Sequence, residues 1–306
     1  MVATGDRFVL PKDLADRTGR VIARGGDELS PTAVASAAAR ARPGPPHPLA
    51  GSLPLGDVRT PFGAAAFRHL FRVDGVQAAV ERTLLAARLP RDLHEALRLM
   101  REIDAERYQH ALATAAVATR MLLAAVGEQA ALPDLAAAAL LHDLGMSYLD
   151  PQLLRLPRLD AVGAKAVSVH PLLGALHLAT DLGAHPAVDA ALAHHWRRGK
   201  GYPRLAIRPP RSVEVIAVAS AFAALTHARP FRSSPYDARG ATDVLITDSR
   251  LGVADLEAVQ LLVHALRGAR GDVRMVRFGR ERLGHAPSEN RHGALDQAGQ
   301  TMERDS

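Results

Sequence analysis

The chain of 306 residues carries a formal charge of +6, no cysteine, 48% hydrophobic residues and only 4% aromatic residues. Without cysteine there is no disulfide framework and no thiolate ligand, so any metal has to be held by imidazole and carboxylate. Abundant Ala and Leu with few β-branched or aromatic residues predict a mainly α protein, built as one large domain or as one domain with a smaller companion.

The basic charge is almost wholly arginine, because Lys12, Lys165 and Lys200 are the only lysines. No basic stretch is interleaved with aromatics, which argues against a nucleic-acid groove and for a solvated surface. A basic cleft for a small anionic ligand remains compatible with the charge. The first residues lack an apolar core of signal-peptide length, and no run of about 18 apolar residues stands out. The expectation is therefore a cytoplasmic protein with no membrane attachment.

In chain order, residues 1–48 read as a small β-rich module with one helix. Arg7–Leu10 and Arg20–Ala23 are predicted strands around an Asp16–Gly19 turn, and Gly25-Gly26 is a second turn. Ser30-Pro31 has the cap-then-proline signature of a helix start, and that helix is predicted to run to about Arg42. Pro43–Pro48 reads as a linker. Residues 49–103 hold the linker and leading helices, with 49–62 unassigned and helices over 76–89 and 92–100. A helical domain over 104–270 follows: a long helix from about Asp104 to Val126, another opened by Pro133-Asp134, then segments near 163–182, 186–197, 212–228, 235–246 and 253–267. Residues 271–306 are predicted to form a short strand pair around Val273–Phe278 and then a disordered polar tail.

The chemistry-bearing residues cluster at helix ends. His142-Asp143 closes an apolar helical run just before Gly145; an imidazole and a carboxylate side by side can grip one transition metal, and the second carboxylate oxygen can bridge to another. Glu106 and His110 lie four apart and so share a helix face. His170 precedes Pro171 with Gly174 close behind, and His194-His195 end a further helix. A lone core histidine usually bonds a backbone carbonyl. Paired ligands delivered by four separate helices point instead to a shared metal site, of a mixed His and carboxylate kind suited to iron, manganese, zinc or nickel.

The order His110, His142-Asp143, His170-Pro171-x-x-Gly174, His194-His195 and Gly201-Tyr202-Pro203 resembles the HD-GYP branch of the HD phosphohydrolase superfamily. Val215–Ala219 and Ala224–Arg232 resemble that family's next two signatures, and residues 1–48 are similar to the small β-rich segment found before some such domains. The resemblance implies a helical bundle around two or three divalent ions that cleaves a cyclic dinucleotide such as cyclic di-GMP, or another small phosphoester. On that resemblance His110, His142, Asp143, His170, His194 and His195 are metal ligands, Glu106 serves a third ion, and His142 and Asp143 are central to catalysis. Arg229, Arg232 and Lys200 would meet substrate phosphate, and Tyr202 would face the nucleotide.

Four positions depart from the family pattern. Ser220 stands where the family has a metal-binding aspartate, and Met146 where a phosphate-contacting lysine is usual. Trp196 directly follows the paired histidines in place of a glutamate, and Ala223 opens the Asp-Ala-Leu triplet. These departures favour the alternative of a catalytically silent descendant that binds a nucleotide or a protein signalling partner. A homodimer stays open.

Overall fold

The structure, a computed structural model, describes residues 7–43, 53–154, 156, 159–197, 200–228, 234–279, 284 and 287. Its N-terminal segment is organised by one carboxylate. Asp16 Oδ1 accepts from the Thr18 amide (2.9 Å), the Thr18 hydroxyl (2.6 Å) and the Arg20 amide (3.1 Å), closing a turn that Gly19 completes with φ of 82°. That turn joins β2 (Leu14–Ala15) to β3 (Val21–Ala23). Outside it, β1 (Phe8–Val9) pairs with β4 (Glu28–Leu29), Phe8 opposite Leu29. The predicted pair of strands is thus two antiparallel hairpins, and β2 and β4 are additions to the sequence reading.

Helix α1 (Pro31–Arg40) starts as predicted, the Ser30 hydroxyl accepting from the Ala33 amide at 3.2 Å. It stops two residues early because the Arg42 amide donates to Asp16 Oδ2 (2.9 Å), which draws the chain back to the hairpin. Residues 44–48 of the expected linker lie outside the described residues. The unassigned stretch contains α2 (Leu55–Gly63), whose Pro61 and flanking glycines masked its helical period.

The remainder is mostly helical, and 64% of the described residues are helix and 5% strand. Short α3 (Arg68–Phe71), α4 (Val76–Ala86) and α5 (Arg91–Ile103) lead into α6 (Ala105–Val126), the central rod. On length and composition α6 could cross a membrane, with a mean hydropathy of 1.2. Here it is a core helix: Ala111, Ala115, Ala116 and Ala118 are fully buried and their small side chains let α7 (Leu132–Leu141) and α12 (Arg211–Thr226) pack closely. A buried apolar cluster runs from Phe8 through to Ala265.

Three sequence expectations are corrected in the second half. The segment near 163–182 is two helices, α9 (Ala161–Val167) and α10 (His170–Leu182), after the short α8 (Pro151–Leu154). Pro171 has no amide hydrogen to offer the Val167 carbonyl, and His170 Nδ1 donates to that oxygen instead at 2.8 Å. The next helix, α11, ends at Ala193 (Pro186–Ala193) rather than at 197, because Trp196–Arg197 forms β5 and pairs with β6 (Lys200–Gly201). Gly201 takes φ of 85°, and a Cβ there would sit 2.2 Å from the His195 carbonyl oxygen. Finally, after α13 (Ala238–Arg250) and α14 (Leu256–Leu266), Val273–Met275 is a single 3₁₀ turn, not a strand pair. Asp272 accepts from the Arg274 amide at 2.9 Å and closes that turn locally. Apart from Gly284 and Pro287, the expected disordered tail lies outside the described residues.

Candidate metal centre

Helix ends deliver the site. Leu141 is the last residue of α7, so His142 and Asp143 occupy the turn beyond it, and Asp143 starts the 3₁₀ turn Leu144–Tyr148. Gly145 lets the start of α10 come against that turn, since a Cβ on it would lie 1.9 Å from the His170 carbonyl oxygen. His194 caps the end of α11, and His110 sits one turn into α6.

Two groups of ligand atoms result, each with its atoms within 4.8 Å of one another. The first holds Asp143, His170, His194 and His195; the second holds His110, His142 and Asp143. Asp143 is common to both. His110, His142, His170 and His194 are buried.

The hydrogen bonds define how the rings are presented. A carbonyl oxygen only accepts, so a ring nitrogen facing one carries its hydrogen. Nδ1 of His142 donates to Ala139 O (2.8 Å), that of His170 to Val167 O, and that of His194 to Ala190 O and Ala191 O (both 3.0 Å). The Nε2 atom of each ring is then turned inward. His170 Nε2 lies 3.3 Å from His194 Nε2, and Asp143 Oδ1 lies 3.2 Å from the first and 3.7 Å from the second. Oδ1 is buried and has no hydrogen-bond donor of acceptable geometry. Three potential ligand atoms thus converge out of water, and a proton can satisfy one such contact whereas a cation satisfies all of them. Carbonyl-tethered imidazoles of this kind are the usual outer support of metal-binding histidines. The residues present fit a divalent transition ion.

The protonation states agree. Burial pushes the His142 and His195 imidazoles down, and takes His194 to about 3, so they are neutral and able to ligate. Burial raises the Asp143 carboxyl, but the close approach of His170, with the other imidazoles around it, outweighs burial and holds the group well below the ordinary carboxylate value. Tyr202 stacks on His195, with ring centroids 4.4 Å apart and planes 25° apart.

The remaining sequence-predicted residues fare differently. Glu106 is exposed on the first turn of α6 and belongs to neither group. Arg229 and Arg232 lie outside the described residues, and of Lys200 only its backbone in β6 is described. Ser220, noted in the sequence as a departure, stands between the rings of the second group, its Oγ 3.0 Å from His142 Nε2 and 3.3 Å from His110 Nε2. His227 was not anticipated: it ends α12, its Nδ1 donates to Ala223 O at 2.7 Å, and its ring stands 6.5 Å from that of His110. Its place after Leu225-Thr226 carries no ligand signal. Beyond it opens a cavity of about 900 Å³ lined by Phe67, Thr226, Tyr236, Arg239 and Arg250 among others.

The fold and site together define a helical bundle with a buried histidine–aspartate cluster that could hold a metal ion. No family profile and no curated protein sequence matches the chain. Among solved structures it is similar to the HD domain of the L. monocytogenes phosphodiesterase PgpH, with 15% identity and a TM-score of 0.43 over 57% of this chain and 96% of that one. A second structure of that domain, in complex with cyclic-di-AMP, matches with the same identity and score over 95% of its chain. Likeness at this level is distant, and the functional reading rests on the site.

Proposed function

We propose that this protein is a metal-dependent phosphodiesterase of the HD type, acting on a cyclic dinucleotide or another small phosphoester. The observation that carries the reading is the convergence of Asp143 Oδ1 with the inward Nε2 atoms of His170 and His194. His170, His194, His195 and Asp143 would hold a divalent ion, with His142 and His110 on the other side of Asp143. Such an ion, when bound, supplies Lewis acidity toward a phosphoryl group and makes water a nucleophile at neutral pH. The chain's own part is to fix the ring tautomers through the Ala139, Val167, Ala190 and Ala191 carbonyls, and to keep Asp143 ionised. Stacked against His195, Tyr202 holds that ring and borders the site. Arg229, Arg232 and Lys200 are proposed phosphate contacts, a role that suits their permanent or near-permanent charge. The cavity beyond His227 is of a size usual for nucleotide-scale ligands. The substrate class, including the choice between cyclic di-GMP and a related dinucleotide, follows from the motif resemblance set out above.

A second reading is favoured by Ser220, which brings a neutral hydroxyl between two rings where the family pattern has a carboxylate. In that reading the protein binds nucleotide or a protein partner without turnover. Elemental analysis of purified protein, with hydrolysis assays on cyclic di-GMP, cyclic-di-AMP and a nitrophenyl phosphodiester, separates the two. Turnover abolished by H170A and D143N supports the enzyme. Bound metal and bound nucleotide without turnover support the silent effector.

A further inference from the structure

The two halves of the cluster are not equivalent. On the His170 and His194 side, two Nε2 atoms and Asp143 Oδ1 converge to within 3.2–3.7 Å of one another. On the other side a hydroxyl intervenes. His142 Nδ1 is committed to Ala139 O, so its Nε2 can only accept, and the Ser220 hydroxyl 3.0 Å away donates to it. With its hydrogen so used, Ser220 Oγ accepts from His110 Nε2 at 3.3 Å. The row His110–Ser220–His142 is thus a continuous run of donors and acceptors.

We propose that this protein binds a single divalent ion, at Asp143, His170, His194 and His195, and that Ser220 converts the second position into a hydrogen-bond bridge between His110 and His142. This rests on the metal-centre reading above and specifies its stoichiometry. For an ion to enter between His110 and His142 it would have to displace the proton that Ser220 places on the His142 lone pair. A neutral hydroxyl is a weak replacement for that contact. Charge points the same way. Asp143 is the one carboxylate in either ligand group among the described residues, with its Oδ1 turned to the first group, and Glu106 is exposed and apart. Two adjacent divalent ions would therefore share one negative side chain.

The test is a count. The full chain is stripped with chelator, reloaded with Zn²⁺ or Mn²⁺, desalted and analysed for metal per polypeptide, and a Cd²⁺-loaded sample is examined by ¹¹³Cd NMR. The expected result is one ion per chain and one cadmium resonance, with H110A still holding one ion. H170A falls toward zero, and S220D rises to two. Two ions in the wild type, loss of the ion in H110A with an unchanged circular dichroism spectrum, or S220D remaining at one would each overturn the proposal. Absence of any ion in the wild type would overturn the metal centre itself along with it.

Discussion

Gly174 lies with its backbone directly against that of Gly145: a Cβ on Gly174 would stand 3.1 Å from the Gly145 amide nitrogen, and one on Gly145 would overlap the His170 carbonyl oxygen. The two glycines let the start of α10 touch the turn that carries His142 and Asp143. Gly145→Ala would push these backbones apart. We expect it to destabilise the fold by about 2–4 kcal/mol, in the range of strong overpacking, and to lower metal affinity by separating His170 from Asp143. Urea unfolding midpoints and metal retention after desalting measure both.

Asp143→Asn keeps the shape and removes the charge that both ligand groups share. Changes to groups that merely orient ligands cost roughly 10- to 100-fold in metal affinity, so loss of the ligand charge itself should cost at least that much. Competition against a chromophoric chelator gives the number. An unchanged affinity would remove Asp143 from the centre.

Tyr202 supports His195 through ring stacking. Tyr202→Phe retains the stack, and its metal affinity should stay within about twofold of the wild type. Tyr202→Ala removes a contact of about 0.5–1.5 kcal/mol and should weaken binding several-fold. Equal loss in both variants would assign the effect to the hydroxyl instead.

Asp16 predicts an acid-sensitive N-terminal segment. The Thr18 hydroxyl bond, opposed by desolvation and aided by the Arg42, Arg20 and Thr18 amides, lowers its carboxyl from 3.8 to about 2. Because the folded value is the lower one, its stabilising effect is complete above the unfolded value and is lost as the pH falls from 3.8 through about 2. Amide exchange across the two hairpins should accelerate over that window. In Asp16→Asn, exchange should already be faster at neutral pH and should lack that step.

Most of the side chains that the structure brings together were legible because histidines at helix ends announce themselves twice, by type and by position. The expectation that core histidines bond carbonyls also holds here, and it proves compatible with ligation, since one ring nitrogen does each job. Glu106 shows the limit of spacing arguments: it shares a helix face with His110, yet it is exposed on the first turn of α6 while His110 is buried. The four strands of the N-terminal segment are two or three residues each, too short for an alternation signal, so only two were anticipated and their pairing was not. The break between α9 and α10 was written in Pro171. Its reading required knowing that His170 replaces the missing amide donor. Ser220 could be noticed as a substitution, but its place between two rings is set by how α12 packs on α6 and α7.

The N-terminal strand pairs are fastened to the half that carries the histidine–aspartate cluster. The Arg17 amide donates to Thr180 O on α10 at 3.2 Å, and its guanidinium bonds Asp181 on α10 and Asp92 on α5. Helix α10 begins with His170, so the same rod that presents a candidate ligand at one end is clasped near the other, roughly 16 Å away at 1.5 Å per residue. Excising residues before 49 to obtain a minimal bundle would therefore undress the far end of that rod, and a truncated protein that loses its metal would be reporting a loosened handle, not a missing ligand.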